Sequence, residues 1–192
     1  MKPKTKRGQN RREKILRAAE KGFGTMGFAD ASITDITREA DTAQGTLYIY
    51  FKGKEQIFSE LVEEMGHHTR EVIAQAISKS TSRLDAEKQG LRAFLHFVRE
   101  RPELYTIVEE ARFVDPVAYK SYFENFAKAY QTGLEAAQLA GEIRDSDNEV
   151  RAWALMGIAK ALGEKYAVMD PSKDMDHIAD VAFDLIENGL RR

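Results

Sequence analysis

Ser32-Ile33-Thr34-Asp35-Ile36-Thr37-Arg38-Glu39-Ala40-Asp41-Thr42-Ala43-Gln44-Gly45-Thr46-Leu47-Tyr48-Ile49-Tyr50-Phe51 is the stretch that decides the fold. Ser32 and Asp35 have the S-x-x-D spacing of a capping box, and Ile36 and Ala40 follow on one helical face. A break at Asp41-Thr42 precedes a second short helical segment, Gln44 to Phe51, and Lys52-Gly53 turns the chain again. Two short helices joined by a tight turn form a helix-turn-helix, in which the first braces the second against DNA. A reading helix has to be short, polar outside and small at its start. Gly45 removes a side chain at the point of closest approach. Gln44 and Thr46 offer hydrogen-bond groups to base edges or phosphates, and Tyr48 and Tyr50 offer hydroxyls to phosphates. Lys54 adds charge at the start of the next helix.

Outward from this stretch, nearly every segment has helical period. Upstream, Arg11 to Met26 places Ile15, Ala18, Ala19, Phe23 and Met26 on one face, and Gly27 stops it. Downstream, Lys54 starts a long helix through Ile77, and Lys79 to Ser82 is a polar linker. Further helical patterns run from Leu84 to Arg101, Pro102 to Arg112, Pro116 to Ala140, Asp147 to Met169 and Met175 to Leu190. No segment alternates like a strand. The expected fold is all-α with about nine helices: a three-helix head over residues 1–54 and a helical-bundle body for ligand binding and dimerisation over residues 55–192.

Charge divides the same way. Residues 1–54 carry 12 Lys and Arg against 6 Asp and Glu, while the remainder carries 17 against 25. A basic head and an acidic body suit a polyanionic partner for the head alone. Lys2, Lys4, Lys6, Arg7, Arg11, Arg12 and Lys14 supply most of the excess. The chain has no cysteine, so thiolate chemistry and disulfides are excluded. Its basic N-terminus lacks the apolar run of a signal peptide, and no membrane span is expected, so a cytoplasmic location follows. Catalytic and metal motifs are missing. Adjacent His67 and His68 diverge on a helix, so no metal site and no enzyme activity are expected.

The run from Ser32 to Glu55, with Ile15-Leu16-Arg17-Ala18-Ala19, Phe23 and Gly27-Phe28 upstream, resembles the tetracycline-repressor (TetR) family over about residues 11–58. The resemblance implies a repressor that binds palindromic operator DNA as a homodimer and is released by a small-molecule effector. It implies DNA contacts at Ser32, Thr34, Gln44, Gly45, Thr46, Tyr48, Tyr50 and Lys54, with Leu47 and Phe51 facing inward. Three positions depart from the family pattern. Asp41 stands where glycine is usual, and Asp tolerates a left-handed backbone. Ala43 replaces the usual Ser or Thr cap of the reading helix, a loss of order 1 kcal/mol, and Thr42 is a substitute one position early. Ile49 replaces a commonly polar residue, and either touches a thymine methyl or packs.

The body is dense in aromatics, and apolar pockets between helices are common ligand sites. Singly each aromatic reads as core. As a set, some of Phe97, Tyr105, Val108, Phe113, Tyr119, Phe123 and Trp153 are expected to line a cavity. The stretch Arg99 to Pro116 resembles a branch of the family that answers to acyl-coenzyme A thioesters, which implies such an effector, or a related hydrophobic acid, and no other cofactor. In that case Arg101, Arg112, Lys120 or Lys128 would pair with the coenzyme's phosphates. Apolar residues surround the helix carrying Trp153, Gly157 and Ala161, so it has two faces to bury. Val181, Leu185 and Ile186 form a matching stripe, and together these six mark the expected dimer interface. Two alternatives stand beside this reading: a helical enzyme or carrier with an incidental basic tail, and a module whose tail binds an acidic protein.

Overall fold

The computed structural model describes residues 5–190, except the side chains of Leu104 and Leu190. Lys2 and Lys4 of the basic tail lie outside them. Among the described residues there are nine α-helices and no strand: α1 (Lys6–Asp30), α2 (Ile33–Glu39), α3 (Gln44–Tyr50), α4 (Lys54–Ile77), α5 (Arg83–Glu100), α6 (Pro102–Val114), α7 (Pro116–Leu139), α8 (Asn148–Leu162) and α9 (Met175–Leu190). The expected all-α class holds. None of these helices is long and apolar enough to cross a membrane.

The described contacts gather into two compact units. One comprises the residues up to Met65 with Glu103–Tyr122; the other comprises Gly66–Pro102 with the residues from Phe123 onward. In the first unit, α1 turns Ile15, Leu16, Ala18, Ala19 and Phe23 inward. Gly27 breaks it with φ 79°, a conformation open to glycine, so the helix proper stops where the sequence expects. Met26, on the last turn before that break, is exposed instead of joining the inward face. Phe23, Phe28 and Phe58 form a triangle with ring centroids 5.0 to 5.6 Å apart. Leu47 and Phe51 are fully buried, which hangs α3 on this core. Helix α6 belongs here too. The Glu110 carboxylate accepts the Phe28 amide at 2.8 and 3.1 Å, just past the break in α1. Gly24 leaves room for the Cβ and Cγ of Glu103, which a Cβ there would strike.

In the second unit, one edge of α5 grips α9. Arg92 pairs with Asp176 and Asp180 at 3.0 and 3.2 Å, Lys88 with Asp180 at 3.0 Å, and His96 Nε2 meets Asp176 at 3.0 Å. Arg99 donates to the carbonyls of Pro171 and Lys173 in the turn before α9. Helix α8 does not run as one α-helix to Met169. Its last turns, Gly163–Met169, widen into a π-helix. Periodicity alone does not distinguish the two, because the wider turn changes hydrogen-bond partners and keeps the chain helical.

Candidate nucleic-acid interface

Helix α2 begins with the capping box that its sequence promises. Ser32 Oγ accepts from the Asp35 amide at 3.1 Å, and the Asp35 carboxylate accepts from the Ser32 amide at 3.1 Å and from its hydroxyl at 2.5 Å. The hydroxyl and amide of Ser32, followed by the nearby Arg38 charge, hold the Asp35 carboxyl below its ordinary range. A carboxyl lowered in the folded state stabilises above its unfolded-state value, and that stability is lost as pH falls through the folded-state value. Asp35→Asn should therefore flatten part of the acid limb of the urea midpoint below about pH 5. An unchanged acid limb would show that the box contributes nothing.

The turn between α2 and α3 passes through Asp41 at φ 46°, the one positive φ at a non-glycine residue among those described. Asp fills the usual glycine position as expected. Ala43 stands at the N-cap of α3 without a side-chain hydrogen bond. Thr42 does not replace it. Its hydroxyl donates to the Ala40 carbonyl at 3.1 Å and accepts from Arg11 at 3.0 Å. Arg11 also reaches the Asp41 carbonyl at 3.2 Å, so α1 holds the turn that starts the reading helix. Along the sequence Arg11 reads as tail charge, because a partner thirty residues away leaves no local signal. Arg12 likewise turns inward, pairing with Glu60 and Glu64 and lying 5.4 Å from the Phe51 ring centroid. Lys6, Arg7, Lys14 and Arg17 are exposed.

The structure brings most of the expected DNA-facing residues to one surface. Ser32, Thr34, Gln44, Gly45 and Tyr48 are exposed, and Thr46 and Tyr50 are half-buried. The Gln44 amide donates to the Thr34 hydroxyl at 2.9 Å, joining α2 to α3 at the surface. Among the described residues, a Cβ on Gly45 would meet nothing within 4 Å, so its bareness serves no neighbour there. Ile49 does not pack; it is 73% exposed. Lys54 is not brought into this group. Its ammonium donates to the carbonyls of Phe28, Ala29 and Ala31 at 2.6, 3.2 and 3.0 Å and lies 4.3 Å from the Phe28 ring centroid. Three protons meet three acceptors, so Lys54 closes the end of α1.

This head matches the model of the bacterial regulatory proteins of the tetR family over residues 15–61. An HTH-type transcriptional regulator of Bacillus subtilis strain 168, YdgC, is 28% identical over 189 residues, covering 96% of this chain and 94% of its own. Its head is a TetR-family domain. The chain is a transcriptional regulator built on that domain. Solved structures extend the likeness in fold to the body. The fatty acid degradation regulator FadR from Bacillus halodurans superposes with TM-score 0.82 at 17% identity, over 91% of this chain and 93% of its own. FadR from Bacillus subtilis in complex with stearoyl-CoA gives 0.80 at 17% identity, over 90% and 96%.

The residues expected to line a cavity fall in both units. In the second, Phe97 is buried edge-on to His68, with centroids 5.3 Å apart, and Phe123 stacks on Trp153 at 6.4 Å. In the first, Val108 is buried and Tyr105 and Tyr119 are half-buried. Phe113 is 83% exposed, so it lines no interior of a single chain. Arg101 is half-buried, while Arg112, Lys120 and Lys128 are exposed. Of the expected dimer residues, Trp153, Gly157 and Ala161 on α8 and Val181 and Leu185 on α9 are exposed; Ile186 is buried in its own chain. Val150 and Ala154 extend the α8 stripe at helical spacing.

Proposed function

We propose that this chain is a cytoplasmic, non-enzymatic repressor that binds palindromic operator DNA as a homodimer and is released by a hydrophobic small molecule. The observation that carries this reading is the outer surface of the helix-turn-helix. A bare Gly45 and the polar groups of Ser32, Thr34, Gln44, Thr46, Tyr48 and Tyr50 stand over a core that buries Leu47 and Phe51. Lys54 serves the same surface from behind, through the end of α1. The functional division is a head of residues 1–54 and a body of residues 55–192. The exposed apolar stripes of α8 and α9 suit a four-helix dimer interface, which would set two reading helices about 34–36 Å apart for successive major grooves. Within the second unit, Phe97, Phe123 and Trp153 are the proposed effector-lining residues. The fold shared with a FadR bound to stearoyl-CoA supports an acyl-CoA thioester as effector. A ligand preferring another spacing of the heads lowers DNA affinity by its differential binding to the two states.

The test is a polarisation titration of the full chain against duplex DNA at several salt concentrations. Phosphate contacts make affinity fall steeply with salt. On a duplex selected from a random library, Gln44→Ala should weaken binding about tenfold and relax preference at one position per half-site. Gly45→Ala should raise helix stability by about 0.5–1 kcal/mol while weakening DNA binding, because the added methyl meets only the duplex. Salt-independent affinity, or unchanged binding in both variants, would overturn the reading. Stearoyl-CoA added to the complex should lower polarisation.

A further inference from the structure

We infer that Ile49, in the last turn of α3, is a further specificity-determining residue, and that it reads the C5 methyl of a thymine in the major groove. The inference rests on the DNA-binding reading and goes beyond it.

The geometry starts from Leu47, which is fully buried and so marks the inward line of the helix. At about 100° per residue, Gly45 and Ile49 each lie roughly 160° from that line, on opposite sides of it. They are the two outermost positions of α3 and sit within about 40° of each other, one turn apart. Thr46 and Tyr48 flank them at roughly 100°. Gln44, nearer the inward line, leaves α3 to bond Thr34.

What occupies the outermost pair is therefore a bare glycine and an isoleucine that is 73% exposed. A helical side chain leans towards its own N-terminus, so Ile49 leans over the turn that Gly45 leaves open. Ile49 has no hydrogen-bonding group, and its side chain is stiff at χ1. In a major groove the apolar feature of a base-pair edge is the thymine methyl, and an apolar side chain recognises it by contact. Beside Gly45, where the backbone can approach the base pairs, Ile49 is placed to bury that methyl.

The test uses the full chain and a palindromic duplex selected from a random library. Each thymine of the half-site is replaced in turn, symmetrically, by deoxyuridine, which lacks only the C5 methyl. At one position the unaltered protein should lose roughly fourfold per half-site, from one methyl no longer buried. That is roughly fifteenfold for the duplex, the two half-sites being independent. Ile49→Ala should bind the thymine duplex about as weakly and be indifferent to the deoxyuridine change. Its far-UV circular dichroism should stay unchanged, since the side chain is mostly exposed. The inference is overturned if every deoxyuridine duplex binds within about twofold of its parent, or if Ile49→Ala keeps the full penalty. Selection that yields no preferred sequence overturns the DNA-binding reading and this inference together; a sequence preference without methyl dependence overturns this inference alone.

Discussion

Phe58→Ala is expected to lower stability by about 3–5 kcal/mol, the cost of emptying a well-packed aromatic site. Phe58 is fully buried near the start of α4 and packs edge-on against both Phe23 of α1 and Phe28 beyond the Gly27 break. No other ring replaces it, so the triangle opens on two sides. The loss reaches function through packing. Leu47 and Phe51 are buried in the same unit, and α3 has no side-chain N-cap. The pose of α3 therefore depends on burial. DNA affinity should fall together with the urea midpoint, measured by circular dichroism at one fixed protein concentration. Phe58→Leu should recover more than half of both. A Phe58→Ala midpoint within about 0.5 kcal/mol of the parent, as for a surface substitution, would show that the triangle is not what holds the head.

A loss of similar size, about 3–5 kcal/mol, is expected from Glu87→Ala in the second unit. Glu87 is 3% exposed, accepts from Arg83 Nε at 2.7 Å, and receives the Tyr130 hydroxyl. The Arg83 guanidinium lies 5.0 Å from the Tyr130 ring centroid, in space that a Cβ on Gly133 would fill. Burial, then the Glu87 charge, hold the Tyr130 phenol protonated well above the ordinary tyrosine range, so it stays a donor. Removing the carboxylate strands a largely buried cation and an unpaired hydroxyl between α5 and α7. Glu87→Gln keeps an acceptor and loses the charge, and should fall between the two. The double variant Arg83→Met with Glu87→Leu should recover most of the loss, since apolar replacements spare the desolvation cost of a buried pair. If Glu87→Ala and the double variant have the same midpoint, the cost comes from lost volume and not from a stranded charge.

Several features of the fold were legible one residue at a time. The Ser32–Asp35 box, the stop at Gly27, the left-handed turn at Asp41 and the uncapped Ala43 all depend on backbone conformations that near neighbours set. The outward surface of α3 was legible too, with one exception. Residue type alone allows Ile49 either packing or contact, although its place opposite Leu47 on the helix already points outward. Lys54 illustrates the opposite case. Its position at the start of α4 suggested a phosphate, but a long flexible side chain reaches in many directions, and the carbonyls of Phe28, Ala29 and Ala31 decided which. Phe113 likewise read as one more aromatic of the body and stands in solvent.

The sequence by itself determined the helical class, the order of the helices and most of their turns, which face of α3 can meet a partner, and the family to which the head belongs. These follow from period, caps and turn residues, whose energetics are local. Only the tertiary structure decided which charges serve the chain itself. Arg11 holds the turn before α3, Arg12 braces α4, Glu110 holds the amide of Phe28, and Glu87 sits between Arg83 and Tyr130. With the exception of Arg83, one turn from Glu87, the partners are dozens of residues apart, and no pattern along the chain records which of many equivalent carboxylates and cations will be folded against each other.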